Sequence, residues 1–215
     1  MTRIHVIFHS VTGHTAKLAE AIAEGVESLS GCAAVLKQIP ELPGAGPVIM
    51  PALGERKAEF AELPVAQAED LVECDGVALG TAVYWGNMSY ATKYFLDTAN
   101  LYRLAGPNEA AKPEPKLFGK PFTVFTGGGN GLANEPAILS VWTALSFYGV
   151  SIVTLGPRLP EVTDPKRHGG GNTLGAGTFS RTPGERPSDD ERAIASVQGR
   201  ALAEAARAWK ERRRD

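Results

Sequence analysis

Short apolar runs alternate along this chain with amphipathic stretches, the pattern of a parallel sheet wrapped by helices. Residues 4–8 read as a first strand, 34–39 as a second, 76–80 as a third, 122–125 as a fourth and 150–155 as a fifth. A helix is predicted over residues 15–29, where Leu18, Ile22, Val26 and Leu29 recur at helical spacing and Gly31 suits a stop just beyond. A second is predicted over 89–101, with Ala91, Tyr94, Phe95 and Thr98 on one face, and a third over 136–148. Ser188-Asp189-Asp190-Glu191 has the form of a capping box and opens a last helix, with Ile194, Val197, Ala201, Ala205 and Trp209 on one side. The stretches 40–64, 106–115 and 156–187 are rich in Pro, Gly or Thr without a period and read as connections, the first with a short helical piece near 55–62. These elements make a doubly wound α/β fold: five parallel strands, helices on both faces, one domain over residues 1–215.

Composition narrows the function classes. The chain is 215 residues long, 43% hydrophobic and 21% charged, with a formal net charge of -2, a balance that gives nucleic acid no support as a partner. Its basic cluster, Lys210, Arg212, Arg213 and Arg214, suits a solvated helix C-terminus. Cys32 and Cys74 lack metal-ligand or CxxC spacing; they read as small buried apolar residues in a reducing, cytoplasmic setting. The N-terminus carries no signal-peptide pattern, and no apolar run has the ~20 residues needed to span a bilayer.

Chemistry concentrates in three loops at three strand ends. Ser10-Val11-Thr12-Gly13-His14-Thr15 follows the first strand. Its hydroxyls and glycine let the backbone curl round a phosphate at a helix N-terminus, although one such hydroxyl equally serves as an ordinary cap. Without a Walker lysine or GxGxxG, nucleoside triphosphates and dinucleotides are less well served. Thr81-Ala82-Val83-Tyr84-Trp85-Gly86-Asn87-Met88 follows the third strand. Its aromatic faces and amide fit a broad ring with a polar edge, or simple core packing. Thr126-Gly127-Gly128-Gly129-Asn130-Gly131 follows the fourth; its backbone can approach a flat ligand closely, or form a flexible surface loop. Their placement together is the useful signal, because those strand ends converge in an open α/β sheet. Among His5, His9, His14 and His168, none has a partner in a recognisable nucleophile motif.

With Ser10…Gly13-His14, Gly86-Asn87-Met88, Phe95-Leu96-Asp97, the glycines after Phe125, Trp142-Thr143 and Gly175-Ala176, the chain resembles the WrbA-type NAD(P)H:quinone oxidoreductases of the flavodoxin-like proteins over nearly its whole length. The resemblance implies a flavodoxin-like fold, FMN as cofactor, NADH or NADPH as reductant, a quinone acceptor and a homotetramer or homodimer. It implies that Ser10 to Thr15 hold the phosphate, that Val83 to Asn87 border the flavin ring, and that Gly127 to Leu132 cover its other edge. Tyr102, Phe147 and His168 then fall on the substrate side. No side chain is called on for covalent chemistry, since the flavin carries the hydride. The chain departs from the family at Thr12, where an aromatic is common, at Val83-Tyr84-Trp85 in place of Thr-Arg-Phe, at Phe147 in place of a histidine, and at Leu101-Tyr102-Arg103, where a Trp is expected. Three readings follow: a quinone reductase, an FMN-binding electron carrier or sensor with little turnover, and a scaffold without flavin.

Overall fold

The computed structural model describes residues 1–42, 60–99, 116–129, 133–157, 171–180 and 186–213. In chain order the elements are β1 (Thr2–Phe8), α1 (His14–Glu27), β2 (Cys32–Gln38), a 3-10 turn (Ala68–Leu71), β3 (Gly76–Tyr84), β4 (Asn87–Met88), α2 (Tyr90–Thr98), β5 (Pro121–Gly128), α3 (Asn134–Ser146), β6 (Ser151–Ile152), β7 (Gly177–Phe179) and α4 (Asp189–Arg212). The sheet runs β2-β1-β3-β5-β6, all neighbours parallel, with β4 antiparallel to β3 and β7 parallel to β5. Counting only the through strands, this is the doubly wound order in which the ends of β1, β3 and β5 lie side by side.

Strand alternation sends side chains to two cores. Ile4, Val6 and Phe8 of β1, with Ala78 and Phe125, pack under α1 and α4. Ile7, Val77, Leu79, Phe122 and Val124 pack under α2, α3 and the 3-10 turn. On the first face the two helices meet backbone to backbone. A methyl group placed on Gly25 would lie 1.8 Å from the Ser196 carbonyl oxygen, and one on Gly199 would lie 2.0 Å from that of Ile22. The Ser188–Glu191 capping box opens α4 as expected. Glu191, fully buried, also accepts from Thr178 Oγ1 of β7 and from Arg186, so one carboxylate ties the helix start to the sheet edge.

Several sequence expectations are corrected. The fifth strand is not a single run over 150–155: β6 ends at Ile152, and β7, inside the stretch read as irregular, takes up the edge further along β5. Side chains fill the interval between them. Thr123 Oγ1 donates to the Val153 carbonyl at 2.7 Å, while buried Gln198 of α4 donates to Val124 O at 2.8 Å and accepts from Ala176 N at 2.7 Å. A short strand pair thus gives way to hydrogen bonds from side chains, which the apolar pattern does not announce. The third strand runs on to Tyr84 and the fourth predicted strand, β5, to Gly128, so Thr81 to Tyr84 and Thr126 to Gly128 belong to the sheet. On α2 the buried side is Ala91, Thr92, Phe95 and Leu96; Tyr94 and Thr98 face outward. On α4 it is Ile194, Ala195, Gln198, Gly199, Leu202, Ala203 and Ala206, because small residues at the α1 crossing outrank larger ones. Cys74 is buried, but Cys32 on edge strand β2 is only partly covered, and both are free. The predicted helical piece near 55–62 falls largely outside the described residues, as do residues 100–101 of the second predicted helix and Arg214 of the basic cluster. Of that cluster, Lys210 pairs with Asp75 at 2.7 Å and the Arg213 guanidinium lies 4.9 Å from the Trp209 ring centre. No described helix is long and apolar enough to cross a membrane.

Candidate functional site

β1 delivers the chain to the first loop at Phe8, and α1 leaves it at His14. The turn between them needs Gly13, whose φ of 83° is left-handed and strained for a side chain. Gly13 is also the N-cap and supplies no side-chain cap. Instead Ser10 Oγ reaches across the loop to accept from Ala16 N at 3.3 Å, and Thr12 Oγ1 bonds His14 Nδ1 at 2.7 Å. The helix start is therefore ringed by small hydroxyls, with Val11 in the loop and the positive end of the α1 dipole behind it.

The second loop is a tight hairpin. Tyr84 pairs Asn87 and Val83 pairs Met88, leaving Trp85 and Gly86 as a two-residue connection with φ of 52° and 78°. Positive φ at both positions is what the twist-matched hairpin turn demands, and Trp is a costly residue for it. Its base is fixed to both neighbouring helices. Ser89 caps α2 and donates from its N–H to Thr81 Oγ1 at 2.9 Å, and Met88 N donates to Ser140 Oγ of α3 at 3.0 Å. A rigid base thus holds an indole that is wholly exposed, at 102% of its reference area. Tyr84 turns the other way and packs edge-on against Tyr90 at 5.9 Å.

The stretch expected as a third loop begins inside β5, and the two glycines that close this strand meet the other two loops. A methyl on Gly127 would stand 2.4 Å from Thr15 Oγ1, and one on Gly128 would stand 2.6 Å from Asn134 Oδ1 and 3.4 Å from Val83. The phosphate loop, the hairpin and the start of α3 are therefore drawn together across a backbone stripped of side chains. Beside it, Thr126 Oγ1 is fully buried and has no hydrogen-bond partner among the described residues, a group awaiting an acceptor or donor. Ser180 N donates to Gly128 O at 2.8 Å, so β7 backs this loop from behind. An anion-ready helix end, an exposed aromatic and a glycine floor fit a phosphorylated planar ring.

Of the residues singled out from sequence, Ser10 to Thr15, Val83 to Asn87 and Thr126 to Gly128 are brought to this one end of the sheet, with Gly129 at the margin of the third loop. Asn130, Gly131, Leu132, Tyr102 and His168 lie outside the described residues. Phe147 stands at the end of α3, 76% exposed. It lines a cleft of about 650 Å³ between α2 and α3, with Asn87, Met88, Leu96, Ser140 and Tyr148 among the other walls. The cleft adjoins the hairpin but lies beside the three-loop junction.

Sequence reasoning passed over His9, Glu41 and Tyr90. His9 is 1% exposed, and its Nε2 sits 3.3 Å from Glu41 Oε1, outside hydrogen-bond geometry. The Tyr90 hydroxyl donates to Glu41 Oε2, and the Tyr90 ring packs edge-on against His9 at 5.7 Å. Burial first, then the Glu41 carboxylate, pushes the Tyr90 hydroxyl far above its ordinary pKa, and the same two causes raise Tyr84. The signal that could have found them is a histidine directly preceding the phosphate loop, in a strand end otherwise apolar.

Solved structures share this architecture. A WrbA-like flavodoxin from Agrobacterium tumefaciens superimposes with a TM-score of 0.62 at 21% identity, over 97% of this chain and 99% of that one. An archaeal flavodoxin gives 0.59 at 16% identity over 96% and 99%, and oxidised flavodoxin 1 from Bacillus cereus gives 0.56 at 15% over 94% and 98%. The fold is flavodoxin-like. Within that class, the model of the NADPH-dependent FMN reductase family matches residues 2–151, and the chain belongs to that family. Membership carries FMN as the cofactor, a nicotinamide nucleotide as its reductant and a small-molecule acceptor.

Proposed function

We propose that this protein is an FMN-dependent oxidoreductase that passes two electrons from NADH or NADPH to a quinone, in the manner of the WrbA-type enzymes. The observation that carries the reading is the convergence of Thr15, Val83 and Asn134 on the bare backbone of Gly127 and Gly128. Ser10 to Thr15 and the α1 N-terminus would hold the phosphate; Val83, Tyr84, Trp85, Gly86 and Asn87 would border the ring; Thr126 to Gly129, continuing through Asn130 and Gly131 to Leu132, would cover the other edge. When bound, FMN supplies the two-electron redox chemistry. The chain's own residues bind, orient and exclude water. The Trp85 indole offers an apolar face already free of intramolecular contacts. Ser140 and Ser89 keep the hairpin from shifting as a substrate arrives. Phe147 and the cleft beneath it would take the acceptor, on the side where Tyr102 and His168 are also proposed to act; a volume of about 650 Å³ suits a small apolar ring. The chain acts as one domain, working in the cytoplasm as a homotetramer or homodimer.

The test is the visible spectrum of purified protein with and without FMN, followed by NADH and NADPH oxidation with and without benzoquinone. A flavin spectrum and benzoquinone-dependent oxidation are expected. A yellow protein whose nucleotide oxidation is indifferent to benzoquinone overturns the enzyme assignment.

A further inference from the structure

Four side chains from four different elements form one contiguous cluster behind the site. His9 follows β1 and directly precedes Ser10; Glu41 follows β2; Tyr84 closes β3 beside the hairpin tip; Tyr90 opens α2. The two Glu41 carboxylate oxygens are divided between them, Oε2 accepting from the Tyr90 hydroxyl and Oε1 facing His9 Nε2 at 3.3 Å. Tyr90 then stands between the rings of His9 at 5.7 Å and Tyr84 at 5.9 Å, edge-on to both. Between the carboxylate and the phosphate loop lies a cavity of about 30 Å³, with His9, Ser10, Gly13 and Glu41 among its walls.

A solvated carboxylate at a loop end would have no reason to be so placed. The Glu41 side chain is only 20% exposed, and covering a carboxylate to that degree is costly unless its oxygens are engaged. Here the engagement has a direction. Tyr90 remains a protonated donor and Glu41 its acceptor, so the phenol ring is pinned at its far end by the hydroxyl and at its near end by the α2 backbone. An aromatic held at both ends presents a fixed face to its neighbour, and that neighbour is Tyr84.

We propose that Glu41 is a positioning residue for the flavin ring: acting through the Tyr90 hydroxyl, it fixes the Tyr84 side chain and so shapes the ring end of the site while leaving the phosphate end to Ser10–Thr15. This rests on the flavin site proposed above. It makes the segment that follows β2 part of the binding machinery.

The experiment compares FMN with riboflavin, which has the ring and lacks the phosphate, by flavin fluorescence on the full chain. Glu41→Ala and Tyr90→Phe are each expected to weaken both flavins by the same factor, about tenfold for one hydrogen bond to a charged group. The double variant should be no weaker than either single one, and Glu41→Gln, which still accepts from Tyr90, should restore binding. Losses that add, or a loss confined to FMN, overturn the proposal. A second readout needs no flavin: fluorine NMR of the ligand-free chain carrying fluorotyrosine. The Tyr84 resonance, assigned with Tyr84→Phe, should shift in Glu41→Ala and Tyr90→Phe and return in Glu41→Gln. An unmoved Tyr84 resonance overturns the coupling. If the parent chain took up neither flavin, the functional reading would fall and the positioning role with it, while the fluorine spectrum would still decide the Glu41–Tyr90–Tyr84 coupling.

Discussion

The two faces of the sheet are built on opposite terms. On one, α1 and α4 approach until Gly25 and Gly199 leave no room for a methyl group. On the other, α2 and α3 stand apart over a cleft of about 650 Å³, and Tyr94, Leu139 and Phe147 remain exposed on their surfaces. The tight face carries the helix that starts at the Ser10–Thr15 loop. The open face carries the hairpin and the cleft. Close packing and open space are thus separated by sheet face.

The largest effect should come from breaking the tight face. Gly199→Leu must displace the Ile22 backbone, and a loss of about 3 kcal/mol or more is expected in denaturant unfolding. Little change in the midpoint would mean that the crossing is softer than described. Next is Gly127→Val, which intrudes on Thr15 where the two regimes meet. FMN affinity should fall about a hundredfold, near 2.7 kcal/mol, while far-ultraviolet circular dichroism stays unchanged. Unaltered FMN binding would remove Gly127 from the site. On the open face, Phe147→Ala should shift stability by no more than about 0.5 kcal/mol, because the ring is already in water. Its expected signature is a several-fold higher KM for benzoquinone at unchanged FMN affinity. An unchanged KM would separate the cleft from the acceptor.

The smallest effect concerns acid. His5 lies on the open side, its Nδ1 bonded to Asp70 O at 2.8 Å beneath the 3-10 turn, with Lys37 also on Asp70. Burial holds its pKa below the ordinary 6.5. The unfolded chain therefore binds a proton that the folded state resists. Stability from this group is complete above about pH 6.5 and declines as pH falls through that value toward the lowered folded one. Urea midpoints across this range should fall less in His5→Gln than in the parent; identical slopes would clear His5 of a role.

The periodic parts of this fold were readable from sequence because burial imposes period on strands and helices alike. Leu18, Ile22 and Val26 reach the core as their spacing requires. What escaped was decided by tertiary fit. The inner face of α4 follows Gly199 and the small residues around it, since the α1 crossing selects for absence of bulk. The divided fifth strand depends on Gln198 and Thr123, polar residues whose partners come from other elements. Of the three strand-end loops, the first was legible as a loop, because Gly and Ser/Thr mark it; Val83, Tyr84 and Thr126 to Gly128 were not placed, since they prolong β3 and β5. The Glu41–Tyr90 contact was not, because nothing local relates residues forty-nine positions apart.

Trp85 bears on when the cost of recognition falls due. A tryptophan at φ 52° carries backbone strain, and its indole gains nothing from packing in the free chain. Both penalties are charged to folding, before any ligand is present. An aromatic that had to leave a packed position would charge them to association instead. The hairpin therefore holds its strained, uncovered indole as a permanent feature of the free chain, and under the flavin reading proposed above that cost would not fall on binding.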